Sequence, residues 1–526
     1  MKTRPNRALS LLVLLGAWVL CSSCVRQTVA GPGATLGPYE APARTSGPAP
    51  SAAAVQAGAG LAKPSTLPEK LPLSYCFDLA RRANKDVWAA SLGADAAEAG
   101  IMSAKGEFDA TVFAQGSAGR TNIPVAGVPL TEESISQRQI SAGIRKRFIT
   151  GTDVELDAST QYVRDLTGMS TLNPQHETDV TLSVRQDLLK NFGIGINRTD
   201  ISLAEKSWAS ARQAFRDSLL RSLFEVESAY WDLYFAIADL KVREMQLERA
   251  NKLVQRAESQ VKVGEAAPIE VTRAKSSAAA QAVSILNAQN DITKLRRRLL
   301  KVMGVLDQNV AQVEFELADS PGENLVSTSL SEAFDAATKS RPDYIQATLA
   351  VESTEIQRNF ARNQRLPTLQ LFGDAGVAGL ADNFSSSVDM AEQGTFNSWE
   401  AGLFFEWPIP NRTARGNYRA ATFNHERAKV QLRNVAERVT REVADALSDL
   451  KTAEGRIASA REAGDLAERL LQAEEKSFTL GRSNSVDVLL AQEAAASAER
   501  DVVQARTDYA TAVSNLLRVE GLLDQK

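Results

Sequence analysis

The chain has 526 residues, a formal net charge of −4, 6% aromatic residues, two histidines and three cysteines. That length holds more than one core, while few aromatics and abundant alanine suit long, closely packed helices more than a thick globular interior. There is no basic cluster to neutralise phosphates, which sets nucleic acid aside as a partner, and His176 and His425 lie too far apart in sequence to read as a metal cluster.

The amino terminus carries Lys2, Arg4 and Arg7, then an apolar run from Leu9 to Leu20, then CSSC. Residues 1–23 therefore read as a secretory signal, too short for a membrane span. Cys24 follows Leu20, Cys21, Ser22 and Ser23, which resembles a bacterial lipoprotein cleavage box, although Cys21 stands where an aliphatic residue is usual. The expectation is lipidation at Cys24; the alternative is ordinary cleavage after Ala30. With Cys24 acylated, Cys76 is the one thiol left and no disulfide forms within the chain. Residues 24–70, rich in Gly, Pro, Ala, Ser and Thr, cannot bury enough surface to fold alone. They read as a lipid-anchored flexible linker with a typical span of about 35–40 Å.

Beyond the linker the sequence repeats. LSYCFDLARRANKDV from Leu73 resembles LSEAFDAATKSRPDY from Leu330, which places structural repeats at 73–306 and 330–520 and an inter-repeat linker at 307–329. The first repeat opens with a helix expected from Leu73 to about Ala104. The period then becomes two. Thr178, Val180, Leu182 and Val184 alternate with Asp179, Thr181, Ser183 and Arg185; further alternating segments lie near Phe108, over Ile140–Phe148 and over Thr152–Gln161. In the second repeat Ala401, Leu403, Phe405 and Trp407 alternate with Glu400, Gly402, Phe404 and Glu406, a weaker version of the pattern. Such segments suit a water-filled membrane barrel, and a soluble sheet over a core is the alternative. The first repeat needs an even number of strands, two or four.

Long seams follow. Leu219, Leu223, Val226, Tyr230, Leu233, Ile237 and Leu240 step by four and three, and Leu432, Ala436, Val439, Val443, Ala446 and Leu450 do the same in the second repeat. The helix from Asp200 to Gln260 is expected to be about 90 Å long. Each seam ends at a breaker: VKVGEAAPIEVTRAK from Val261 and FTLGRSNSVDVLLAQ from Phe478, with Gly264 and Gly481 217 positions apart and Glu270 aligned with Asp487.

YWDL at Tyr230–Leu233, QDLLKNFG at Gln186–Gly193, the two halves and the paired glycine turns together resemble the TolC-type outer-membrane efflux proteins over about residues 73–520. The resemblance implies a mixed α and transmembrane β fold. Three chains share one barrel in the outer membrane of a Gram-negative bacterium, continued by a long α-helical coiled-coil tunnel in the periplasm. It implies an exit duct for a tripartite efflux or type I secretion system, working with a periplasmic adaptor and an inner-membrane RND or ABC transporter. A trimer then has a twelve-stranded barrel with an extra extracellular hairpin, or a larger barrel. The glycine turns become hairpin tips, with Gly264, Gly481, Arg482 and Ser485 expected to dock the adaptor. Asp487 matches the family's carboxylate at the periplasmic constriction and Glu270 the acidic position of the other turn, so both are expected at a gate; the family's next acid is Leu490 here. No cofactor is expected, and no nucleophile, base and orienter can be assembled into an enzyme site. A periplasmic coiled-coil scaffold or adaptor lipoprotein is the competing reading, and it leaves the alternating segments without a use.

Overall fold

The computed structural model describes residues 67–125, 131–166, 171–264, 267–307, 314–322, 328–480 and 482–525. The expected lipidation site Cys24, the signal and nearly all of the linker, and the tip residue Gly481 lie outside the described residues. Two compact units emerge. Of the described residues, one comprises those within 102–202 and 356–422; the other comprises those within 67–101, 203–355 and 423–525.

The helical unit starts with β1 (Lys70–Leu71), α1 (Leu73–Ala83) and the first part of α2 (Lys85–Lys105). The single helix expected from Leu73 is broken at Asn84. Its backbone turns extended at ψ 124°, and its Oδ1 accepts from the N–H groups of Asp86 (2.8 Å) and Val87 (3.2 Å). Asparagine competes with the helix for its own backbone, and here it caps the next helix.

Two long antiparallel-type hairpins supply most of this unit: α3 (Thr199–Lys262) with α4 (Pro268–Val302), and α8 (Arg412–Thr479) with α9 (Ser485–Glu520). Between them come β6 (Glu316–Leu317), which pairs parallel with β1, then α5 (Leu330–Ser340) and α6 (Pro342–Asn363). The break between α5 and α6 falls at Arg341, 257 positions after Asn84, which is also the offset from Leu73 to Leu330. Pro342, at a first helical position, fixes it.

The seams are buried as their spacing requires. Leu223, Val226, Tyr230 and Leu233 of α3 pack against Phe77 and Ala80 of α1 and Leu299 and Leu300 of α4. Val439, Val443, Ala446 and Leu450 of α8 pack against Ala333 and Ala337 of α5 and Tyr509 and Leu516 of α9. The Tyr230 hydroxyl donates to the Leu71 carbonyl (3.0 Å) and accepts from the Asp319 N–H (3.0 Å), stitching the segment after α4 to the start of the fold.

Cys76 sits in the first of these clusters with no exposure. Burial, with the Asp319 carboxylate adding to it, pushes its thiol up to about 12. At pH 8 the thiol is therefore protonated as well as inaccessible. Maleimide labelling of Cys76 is expected to be slow in the native protein and to rise more than tenfold in urea; equal rates in both states would contradict the burial of α1.

The other unit is built on one six-stranded sheet in the order β2 (Thr111–Val125), β3 (Thr131–Arg147), β4 (Thr152–Asp165), β5 (Gln175–Asp187), β7 (Thr368–Ala381), β8 (Phe396–Glu406). Every pairing is antiparallel. The first half thus supplies four strands, and the second supplies β7 as well as the expected β8. The segment near Phe108 is a single 3₁₀ turn at Gly106–Phe108, and its strand begins at Thr111. A short helix, α7 (Phe384–Glu392), lies on the sheet where Gly379 leaves room: a Cβ there would come within 1.9 Å of the Ser387 carbonyl oxygen. Among the described residues no helix is long and apolar enough to cross a membrane.

Candidate functional site: a two-faced sheet and the hairpin tips

Register gives the sheet its chemistry. Val112, Ile144, Leu156, Leu182, Ala375 and Trp399 are successive partners across all six strands. One residue further along each strand, Thr111, Arg145, Glu155, Ser183, Asp374 and Glu400 are partners in the same way. Successive side chains point to opposite faces, so one face is apolar and the other charged and hydroxylated. On the charged face Arg145 pairs with Glu155 at 2.7 Å and Ser183 donates to Asp374.

The apolar face is not a core. Val112 is 75% exposed and Trp399 80%, and Leu403 and Phe405 of β8 are exposed beside it. A water-exposed apolar surface of this extent would be an aggregation hazard, whereas lipid is a good solvent for it. The strands run from 11 to 17 residues, and about 9–11 suffice to cross a bilayer when tilted.

The tips form in the helical unit. After α3 the chain reaches Gly264 with φ +80°, a left-handed conformation that glycine adopts without a Cβ penalty, and it re-enters a helix at Pro268. After α8 it returns through Arg482, Ser483 and Asn484, whose Oδ1 accepts from the N–H groups of Val486 (2.9 Å) and Asp487 (3.0 Å) and caps α9. Leu253 of α3, Ala274 of α4, Phe478 of α8 and Val488 of α9 form one buried cluster, so all four helix ends are packed together.

The two acidic positions that align in sequence have different surroundings. Glu270 is half-buried: it accepts from Arg273 Nη1 at 2.8 Å within its own helix and from the Ser485 hydroxyl in the other hairpin. Asp487 is exposed, with Ser483 Oγ at 3.3 Å. The structure thus joins Glu270 to Ser485, and among the described residues the two carboxylates share no hydrogen-bond partner. Ser485 is buried at 1% exposure, which takes it out of any surface open to a partner; Gly264 and Arg482 are exposed. The Ser485–Glu270 link had no sequence signal beyond the alignment of the two turns.

With both features in view, the comparisons are decisive about class. The sequence profile of the outer membrane efflux protein family matches residues 77–305 and again 333–522. The chain belongs to that family. It is similar to the outer membrane efflux protein BepC of Brucella suis, 23% identical over 346 residues, 65% of this chain and 72% of that one. It is similar also to the outer membrane protein TolC of Escherichia coli, 22% identical over 333 residues, 62% and 66% of the two chains. Among solved structures its fold resembles that of the outer membrane protein VceC of Vibrio cholerae, with a TM-score of 0.63 at 18% identity over 85% of this chain and 96% of that one. The open-state outer membrane channel MtrE of Neisseria gonorrhoeae gives a TM-score of 0.60 at 14% identity, over 88% and 94%.

Proposed function

We propose that three copies of this chain form an outer-membrane channel that serves as the passive exit duct of a tripartite efflux or type I secretion system. A periplasmic adaptor and an inner-membrane RND or ABC transporter deliver cargo to it. The observation that carries this reading is the sheet: an exposed apolar face backed by a charged one, with β2 and β8 at edges that pair with no further strand among the described residues. Lipid leaves an open edge with unsatisfied backbone groups at several kcal/mol each, so the sheet needs further copies to close. The chain matches its family profile twice, and Gly304 and Gly521 end α4 and α9 in the same left-handed conformation 217 positions apart, which supports the two-repeat organisation.

The test is reconstitution. The protein is expected to resist carbonate extraction from outer membranes and to give discrete conductance steps in planar bilayers. Release by carbonate together with absence of steps would instead leave a periplasmic coiled-coil scaffold or adaptor lipoprotein.

In this reading the packed tips carry the gate, with Asp487 and Glu270 as its acidic residues, and the exposed Gly264 and Arg482, with Gly481, face the adaptor. The anchor is a lipid on Cys24. Cys24→Ala is expected to abolish metabolic labelling by palmitate while channels still assemble, because the barrel also holds the protein in the membrane. Undiminished labelling would remove the lipoprotein reading.

A further inference from the structure

The first two strands could be a membrane-crossing hairpin or an appendage, and register decides between them. β3 pairs with β4 without a break from Ile135↔Asp165 to Arg147↔Asp153, and the apolar row passes straight through at Ile144↔Leu156. The β3–β4 turn closes tightly, with Phe148 N–H on the Thr152 carbonyl at 2.8 Å and Gly151 at φ +85°. Arg147, at its start, reaches Glu107 (3.2 Å) and Asn197 (3.2 Å), the residues flanking the places where the chain enters and leaves this sheet. The turn therefore lies at the helix-joined end, and β2 and β3 run the full distance from that end to the far one and back. β2 is 15 residues long and β3 is 17, enough to cross the bilayer.

Resting on the trimeric-channel reading, we propose that all six strands of each chain are barrel staves. Three copies then share one eighteen-stranded barrel, closed by pairing β8 of each chain with β2 of the next. Directions agree: an even, wholly antiparallel set leaves β8 and β2 running oppositely, as an antiparallel junction needs. Faces agree too, since Trp399 and Val112 belong to one apolar row and bring lipid-facing residues to both edges. Closure within one chain fails. A six-stranded barrel would be only about 12 Å across its backbone, with no water for the row containing Arg145, Glu155 and Glu400.

Strand count sets width. With strands about 4.8 Å apart and tilted about 40°, eighteen strands give a backbone diameter of about 36 Å against about 24 Å for twelve. After side chains are allowed for, the outlet still exceeds the 10–12 Å or so of an α-helix, so bulky or polypeptide cargo meets no restriction in the strand wall itself.

Cysteine pairs on the charged face test this in the full-length protein. Ser398→Cys in β8 is combined in turn with Phe113→Cys, Gln115→Cys or Ser117→Cys in β2. It is also combined with Asp157→Cys, Ser159→Cys or Gln161→Cys in β4, the strand that would meet β8 if β2 and β3 stood outside the barrel. The linker is a thiol-reactive one longer than one strand spacing, about 4.8 Å, and shorter than three, about 14 Å. The β2 set is expected to give covalent dimers and trimers in outer membranes, at least tenfold above the β4 set. A ladder from the β4 set alone would overturn the eighteen-stranded barrel while leaving the trimer. No ladder from either set would overturn both.

Discussion

Gly304→Val is expected to strip the outer membrane of folded protein, whereas Gly264→Val leaves most of it in place. Both glycines have φ near +80°, so both substitutions force a β-branched residue into the left-handed region at a cost of about 1–3 kcal/mol. Their surroundings differ. At Gly264 nothing lies within 4 Å of an added Cβ; at Gly304 that carbon would come within 2.2 Å of the Ala83 carbonyl oxygen and 2.7 Å of Asn84 Cα. Neither obstacle is a side chain that can swing away. Gly304 ends α4 in a closed pair of hydrogen bonds, Val305 N–H to Leu300 (3.1 Å) and Gly304 N–H to Lys301 (2.9 Å), and its neighbours Met303 and Val305 are buried. Separating α4 from α1 would open the cluster around Cys76 and Tyr230, so the added cost is about 2–4 kcal/mol beyond the strain, a large share of ordinary domain stability. Gly521, against Ser340 at 2.8 Å, should fall between the two. The measurement is the amount of heat-modifiable oligomer in outer-membrane fractions. Equal accumulation of Gly304→Val and Gly264→Val would show that the contact of α4 with Ala83 and Asn84 is not what the structure describes.

What the sequence reveals divides by the range of the interaction that forms each element. The helix expected over Asp200–Gln260 is observed at Thr199–Lys262, because a seam of fours and threes is local and reports itself. The β3–β4 hairpin is equally local: alternation on both sides of a glycine turn. β7 was not legible. Its apolar face carries Gly373, Ala375 and Gly379, the last of them under α7, which weakens the alternating pattern, and its pairing with β5 reaches across about 190 residues, which no periodicity encodes. The break at Asn84 was hidden inside an unbroken helical pattern, and only the capping bonds to Asp86 and Val87 reveal why asparagine stands there. At the tips the repeated turns made Glu270 and Asp487 look equivalent. The structure separates them, because Ser485 has a carboxylate to reach in one hairpin and Asn484 takes over capping in the other.

That separation shapes the expected behaviour of Asp487→Asn. An acid in the first turn of a helix is stabilised by the dipole at about 0.3–1 kcal/mol, so Asp487 could be present for α9 alone. Yet Asn484 already supplies the capping acceptor, and the Asp487 carboxylate is exposed, with the Ser483 hydroxyl close by. An exposed charge with the cap provided by a neighbour is free to act on what passes it. If three such carboxylates converge on a narrow opening, they focus negative potential there and concentrate cations, an effect that salt weakens. In planar bilayers at low salt, Asp487→Asn is therefore expected to lower the cation-to-anion permeability ratio severalfold and to weaken block by multivalent cations. Glu270→Gln should behave differently. Its carboxylate is engaged by Arg273 and Ser485, so its loss loosens the contact between hairpins and should show as more frequent opening, with a smaller change in selectivity. Channels that form normally in the double variant with unchanged selectivity would place both acids away from the constriction and leave Asp487 with its helix-dipole role.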